Sequence, residues 1–575
     1  MKRIRFILSC AVFILVLSLF SCAFAQPPAP QTMSGVTQQE QEIEKSKKLK
    51  KRSWWQRTRG QEQEVVSEED VPLDSTSRIL ITKIEVEGIT ILTQEELAVI
   101  TSEFEGKELS LKDMQKVADL ITDEYRKKGF ATSRAYLPAQ TIKDGILTIK
   151  VVESKLGNVE IRGNKYFKSS LLREKIGIEP AGYFDYSALQ QSLVYINEHP
   201  DRTAKATLLP GKEPGTTDLI IEVKDKLPLH IGFEYDNYGS RYIGKDRYSL
   251  VLEHNNLTQH DDKLYLKSQL SDGRRLKLQQ LRYTYPLESS MDLGVHFLNS
   301  TLKLGEEFKD TDAKGRARIY GVFLNKALIT EQDLDLRLSL GFDYKSVKNY
   351  LSGVRTSRDE VRLVKAGADI DLVDTWGRTI VLSELDIGIP HIFGGMDTRD
   401  SNASRSGAAG EFYKGVFYVF RLQPGPYSTS FLWKNSAQYT NYYLAASEEF
   451  QIGGATSVRG YPPAEYAGDK GYYTAIEWSI PFYFISKDAT IPFAKDKKWY
   501  DALRFVLFYD WATAHLNSVT AGEKKHQQIR GWGFGFRFNV GDDLTCRLEI
   551  GYPLGDKTPS DSDHAHPWVE FNWKY

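Results

Sequence analysis

Few side chains in this 575-residue chain stand in an arrangement that could do chemistry unaided. His564 and His566, in "HAH", are of a type that metals favour. They lie in a turn rich in Gly, Asp, Ser and Pro, where histidines are expected in solvent, so no metal site is expected. The chain has three cysteines and no CxxC spacing. It also lacks GxSxG, HExxH, a P-loop and a GxGxxG that opens a helix after a strand. Catalytic residues and cofactors are therefore not expected. One charge remains to be explained. In "GGATSVRGYPPAEYAGDKGYY" (453–473), Arg459 stands between Val458 and Gly460 in a glycine- and tyrosine-rich loop. A lone loop arginine is usually solvated, whereas one facing a carboxylate forms charge-assisted, often bidentate hydrogen bonds. What lies around the loop decides between the two.

The composition narrows the surroundings. The formal charge is −1, so bulk electrostatics points to no acidic or basic partner and no nucleic acid. Aromatic residues reach 12%, with 31 tyrosines, while the mean hydropathy is negative. Beyond the N-terminus no run approaches the ~18 apolar residues that a spanning helix needs. A soluble β protein and a membrane barrel both fit this composition. Residues 1–25 read as a signal peptide: basic "MKRIR", apolar "FILSCAVFILVLSLF" and a small-residue "AFA" before Gln26. A lipoprotein reading through "LFSC" and Cys22 meets a bulky Phe20. Cleavage after Ala25 leaves Cys546 alone, so no internal disulfide is expected in the exported chain.

Residues 26–76 form a polar lead: a "QPPAP" linker, helix formers with a basic run, Trp54–Trp55, and an acidic linker. Residues 77–226 carry an internal repeat. "KIEVEG" at 83–88 returns as "NVEIRG" at 158–163, and "ILTIKVVE" at 146–153 as "DLIIEVKD" at 218–225. Thr93 and Glu96 read as a capping box, Ser110 opens a helix that ends at Gly129, and "SALQQSLVYIN" is helical up to Pro200. Each copy thus reads strand, two helices, two strands, which gives two discrete modules over 77–154 and 155–226.

From Leu227 onward the period becomes 2. In "LDLRLSLGFDY" (334–344), Leu334, Leu336, Leu338, Leu340, Phe342 and Tyr344 share one face and the polar residues the other. "HIGFEYDNY", "WGFGFRFNV", "TCRLEIGY" and the terminal "WVEFNWKY" alternate likewise. Long strands with one apolar face, aromatic ends and charges between them are the pattern of an outer-membrane barrel. At ~20–22 residues per strand and loop, 227–575 holds about sixteen strands. The final strand ends the chain at Tyr575, as a closing strand would, and its parity turns Cys546 toward lipid.

Two small modules, a barrel and a late "VRGY" loop resemble the outer-membrane transporters of two-partner secretion. This TpsB family includes the haemolysin activators and filamentous-haemagglutinin transporters, and belongs to the superfamily of the barrel-assembly insertase. The modules resemble its POTRA domains. "DNYGSRYIGKDR" (236–247) resembles the first-hairpin motif and "HNNLTQHDDKLYL" (254–266) the element after it, although it lacks the usual proline and glycines. The 453–478 block resembles the family's most recognisable block almost throughout, and "FYD" (508–510) matches the motif that partners it, with Ala512 where a glycine is common.

The resemblance implies two POTRA domains followed by a transmembrane barrel, and no enzyme. It implies a partner as well: a large secreted adhesin or haemolysin, bound unfolded and passed through the barrel by a monomer set in outer-membrane lipid. Docking is expected by strand addition at the third strand of either module or in grooves beside the helices. The resemblance also places the loop of Val458, Arg459, Gly460 and Tyr461 inside the lumen, against Phe508 and Asp510. Strand parity agrees, because Phe505, Leu507 and Tyr509 face away from Asp510. A partly desolvated pair there is expected to contribute ~1–3 kcal/mol, with Gly460 and Pro462–Pro463 setting the turn. The 37–52 segment, anchored by Trp54 and Trp55, is a candidate pore plug. An insertase of the same superfamily, usually with more modules, and a plain porin or adhesion barrel are the competing readings.

Overall fold

The structure, a computed structural model, describes residues 78–575 apart from 131, 178–182, 214, 289, 332, 398, 520–522 and 542. The expected signal peptide and the plug segment with Trp54 and Trp55 lie outside the described residues. The described chain divides into two compact units, one of 78–228 with 255–261 and one of 229–254 with 262–575.

In the N-terminal unit, β1 (Arg78–Ile81), β2 (Lys83–Glu87), α1 (Gln94–Thr101), β3 (Lys107–Ser110), α2 (Leu111–Lys127), β4 (Arg134–Tyr136) and β5 (Ile146–Val152) form the first module. The second has β6 (Lys155–Arg162), α3 (Ser169–Ile176), α4 (Tyr186–Asn197), β7 (Arg202–Pro210) and β8 (Thr216–Asp225). The helix signals act as their chemistry dictates. Thr93 and Ser110 each accept a hydrogen bond from the backbone N–H three residues on, and the Glu96 and Asp113 carboxylates accept one from the backbone N–H of the cap residue. On α2, Met114, Val117, Ala118, Ile121 and Tyr125 recur at helical spacing and are buried against Leu147, Ile149 and Val151, the inward alternation of β5. Gly88 and Gly163, at the ends of the repeated hexapeptides, have φ of 84° and 85°. A Cβ at either would lie 2.4 or 2.5 Å from the carbonyl of Val151 or Val223. The same steric need thus recurs with the repeat.

Sheet order corrects one expectation. The sheets run β2–β5–β4 and β6–β8–β7, with β2 parallel to β5 and β6 parallel to β8. The third strand of each repeat, β5 or β8, is therefore central and has no open edge for an added strand. The helices carry the chain back so that β5 lies beside β2, which leaves β2 and β4 at the margins of one sheet and β6 and β7 at those of the other. A β1–β3 pair, which the repeat did not suggest, joins the first module. At the end of the first module, Glu153 accepts hydrogen bonds from Tyr125 Oη (2.6 Å), Thr90 N (2.7 Å) and Ile91 N (2.8 Å), all of that same module. The 255–261 segment is fastened to the second module through Asp261, bidentate to Arg202 at 2.6 and 2.6 Å and 2.9 Å from Lys175.

In the C-terminal unit, sixteen strands among the described residues close into an antiparallel barrel, from Leu229–Asp236 to His566–Lys574. The last strand pairs with the first over Glu570↔Asp236 to Lys574↔Gly232, and Tyr575 exchanges hydrogen bonds with Ile231. The alternation sorts side chains as lipid requires: Leu338, Leu340, Trp532, Phe536 and Trp573 are exposed outward, while Asp335 and Asp343 on the opposite parity are buried. Arg247 and Asp236, at the ends of the first-hairpin motif, pair across adjacent strands at 2.6 Å.

Candidate functional site in the barrel lumen

The loop between strands Ser430–Tyr439 and Lys470–Pro481 contains a short pair, Phe450–Ile452 with Tyr466–Gly468, and carries the "VRGY" turn at its tip. The turn is closed by Tyr461 N to Val458 O at 3.2 Å. Its left-handed positions are Gly453 and Gly454, near +100°, and Ala464 at 54°. This differs from the expected role of Gly460, whose φ lies outside the left-handed region. Gly460 is needed for approach instead: a Cβ there would sit 2.5 Å from the backbone carbon of Tyr552 in the barrel wall.

Arg459 is 1% exposed, so the pair is fully rather than partly desolvated. Its Nε and Nη2 donate to Asp510 at 2.8 and 2.6 Å, and its backbone N–H donates to the same carboxylate at 3.0 Å. Nη1 donates to Glu477 at 2.7 Å and to Glu549 at 2.9 Å. The guanidinium lies 3.4 Å from the Phe508 ring centroid. The carboxylates are shared in turn. Glu477 accepts from Lys434 and Arg537 at 2.8 Å each, and Glu549 from Arg537 at 2.9 Å and Arg547 at 2.6 Å. Five neighbouring strands supply this network at inward positions. Four cations (Arg459, Arg537, Arg547, Lys434) face three carboxylates (Asp510, Glu477, Glu549), a balance of 4 − 3 = +1.

The wall opposite the turn is cleared by glycine. A Cβ at Gly551 would lie 2.3 Å from Arg459 O, and one at Gly533 2.4 Å from Phe508 Cζ. The Arg459 carbonyl accepts from Trp568 Nε1 at 2.8 Å. Val458 and Tyr461 are buried with Phe450, Ile452, Tyr473 and Ile529, giving the loop an apolar seat beside the ionic one. Tyr461 Oη reaches Lys557 O at 3.1 Å, and Glu465 accepts from Ser560 N at 3.0 Å and Oγ at 2.7 Å. At the loop's base, buried Asp469 accepts from Arg405 at 2.7 Å and from Leu444 N at 2.8 Å.

The structure thus brings Val458, Arg459, Gly460, Tyr461, Phe508 and Asp510 together. Sequence reasoning missed Lys434, Glu477, Arg537, Arg547, Glu549 and the glycines at 533 and 551. Their signal was available: each lies on the same inward parity as Asp510, on strands near its own. The two histidines of "HAH" divide, His564 being exposed and His566 buried at 6% exposure.

The fold and the site define a class: an outer-membrane β-barrel transporter with an N-terminal unit of two small α+β modules and a loop fixed inside the lumen. The family model described as haemolysin secretion/activation protein ShlB/FhaC/HecB matches residues 215–496, and that of the ShlB-type POTRA domain matches 79–154. The chain belongs to this family, the TpsB transporters of two-partner secretion. It is 22% identical over 488 residues to heme/hemopexin transporter protein HuxB of Haemophilus influenzae strain 86-028NP, covering 83% of each chain. To outer membrane transporter CdiB of Escherichia coli it is 24% identical over 428 residues, covering 70% of this chain and 69% of that one. The solved structure of CdiB from Escherichia coli has the same fold, with a TM-score of 0.73 at 18% identity over 96% of this chain and 100% of that one. The protein is an outer-membrane secretion pore of a Gram-negative bacterium, with its POTRA region in the periplasm.

Proposed function

We propose that this pore exports one large exoprotein, an adhesin or haemolysin, which arrives unfolded at the N-terminal unit and passes through the lumen as an extended chain. The exoprotein docks by strand addition on β7, at nine residues the longest of the margin strands β2, β4, β6 and β7, which alternates between inward and solvent-facing side chains up to Leu208. Folding outside then prevents return. The observation that carries this reading is the loop held inside the pore by Arg459. A segment seated through one buried network and one apolar patch has two discrete positions, in and out, without any need to unfold the barrel. The closed sheet leaves no barrel strand to share with a second copy, which supports a monomer, and its apolar outer face suits lipid.

Deletion of the gene, followed by analysis of the culture supernatant and of the outer membrane, tests the proposal. Loss of one large exoprotein with other barrel proteins at normal levels is expected. A general fall in barrel proteins would overturn it in favour of an insertase. Restoration with Arg459→Ala is expected to return the barrel to the membrane but not full secretion, and wild-type secretion by that variant would remove the loop from the mechanism.

A further inference from the structure

The outer face of four neighbouring barrel strands, Leu276–Glu288, Met291–Lys303, Lys314–Thr330 and Leu334–Leu351, changes character toward the cell surface. The chain enters its first barrel strand, Leu229–Asp236, from the periplasm, so alternate turns place 272–275, 304–313 and 352–353 at the cell surface. Hairpin register aligns the outward residues in rows. Leu281, Phe297, Tyr320 and Tyr344 make one row, with ring centroids 4.9 Å apart for Phe297–Tyr320 and 6.1 Å for Tyr320–Tyr344. On the fourth strand this row ends the outward apolar run from Leu334 to Tyr344, as long as a tilted strand needs to cross the hydrocarbon. The next row is Gln279, Asn299, Arg318 and Ser346, and beyond it come Lys277, Thr301, Arg316 and Lys348. Rings at the boundary and polar side chains past it set these two rows among the outer-leaflet headgroups.

Two observations separate this patch from ordinary solvated charge. Its central cations have no counter-charge of their own. Lys303 and Lys314 share Asp312 at 3.2 and 2.7 Å, and Lys348 has Glu360 at 3.7 Å. Lys277, Arg316 and Arg318 are exposed, and no carboxylate among the described residues pairs with any of them. Arg316 and Arg318 stand about 7 Å apart along one strand, and Lys277 lies two strands away, about 10 Å. The second observation is an apolar groove on the same outer face. Leu250, Leu252, Leu266, Leu281 and Phe297 line it, with Ser268 and Gln279 at its polar edge. Register sets Gln279 beside Ser268 and Asn299, so the groove adjoins the row that holds Arg318.

We propose that this face binds one phosphorylated, multiply acylated saccharide lipid of the outer leaflet. Its phosphates rest on Lys277, Arg316 and Arg318, its sugar hydroxyls meet Gln279, Asn299 and Thr301, and one acyl chain fills the groove. A guanidinium matches phosphate by paired hydrogen bonds and is weakly hydrated, which suits a headgroup layer. A phospholipid with one phosphodiester satisfies only part of such a surface. Bound there, the lipid joins Leu276–Glu288 to Lys314–Thr330 across the strand between them. The site lies outside the lumen and does not depend on what the pore exports.

The test uses the full-length protein, purified in detergent, freed of bound lipid and titrated with bis-phosphorylated lipid A. Native mass spectrometry is expected to report one lipid A per chain. Dephosphorylated lipid A and dioleoylphosphatidylglycerol are each expected to bind at least about tenfold more weakly, and inorganic phosphate at equal concentration not to displace lipid A. Arg316→Gln/Arg318→Gln is expected to lose about tenfold or more. Lys326→Gln, toward the periplasmic end of the same outward column, leaves binding unchanged. Equal binding of the dephosphorylated lipid would overturn the proposal, as would phosphatidylglycerol binding as tightly, or wild-type affinity in the double variant. Should that variant fail to assemble, the dephosphorylated lipid decides by itself, because it needs no altered protein.

Discussion

Removing the Arg459 side chain is the most direct probe of the lumenal network, because the loss falls unevenly. In Arg459→Ala, Glu477 keeps Lys434 and Arg537, and Glu549 keeps Arg537 and Arg547. Asp510 loses both side-chain donors and the charge over Phe508, and of its contacts with residue 459 only the backbone N–H at 3.0 Å remains. Breaking a buried ion pair from one side costs about 3–5 kcal/mol, since the other charge stays buried. That replaces the ~1–3 kcal/mol expected for a partly desolvated pair. Val458 and Tyr461 remain in their apolar seat, so the barrel is not expected to fall apart. The open population of the loop should rise roughly 10²-fold or more, at 1.4 kcal/mol per factor of ten. Hydrogen exchange of a peptide spanning 453–473, measured on detergent-purified protein, reads this directly. The double variant Arg459→Ala/Asp510→Ala removes the stranded carboxylate and should recover about 1–3 kcal/mol of the loss. Loop protection within about threefold of wild type in the single variant would refute the reasoning, because the network would then not be what holds the turn.

Gly551→Val places a branched side chain where a Cβ alone lies 2.3 Å from the Arg459 carbonyl, so the turn should be displaced at a cost of about 1–3 kcal/mol with the strand intact. Faster exchange of 453–473 with unchanged heat-modifiable mobility checks it. Glu477→Gln takes the lumenal balance from +1 to +2, and reversal potentials in planar bilayers should shift toward anions; no shift would mean that the network lies off the conducting path. In the N-terminal unit, burial raises the Asp261 carboxyl, but the hydrogen bonds and charge of Arg202 override it and hold the group down at about 2, against an ordinary 3.8. A depressed carboxyl stabilises above its unfolded value, so about 2 kcal/mol is present above pH ~4 and is lost as the pH falls through 2. Asp261→Asn should abolish that acid-dependent step in the exchange of the second module, and a step that persists would assign it to another group.

The faces of the strands were legible from residue types alone, because lipid on one side and water on the other force period 2. Leu338 and Leu340 had to point outward and Asp335 inward whatever the neighbouring strands did. Helix caps at Thr93 and Ser110 were legible for a similar reason: the unpaired N–H groups of a first turn are satisfied within three residues. Parity also turned Asp510 to the side where Arg459 could meet it. Other features depended on which strands become neighbours and at what height. Glu477 and Glu549 looked like any other inward charge, since lumenal charges are common in a barrel; hairpin register set them level with Arg459. The glycines at 533 and 551 read as small inward residues until the loop lay against them. The central place of β5 and β8 followed from parallel crossover rather than from strand count. Sequence by itself determined which way each side chain faces, a local consequence of the solvent on either side. Tertiary structure decided which of those side chains meet, because register and loop entry are settled only when distant strands close into one sheet.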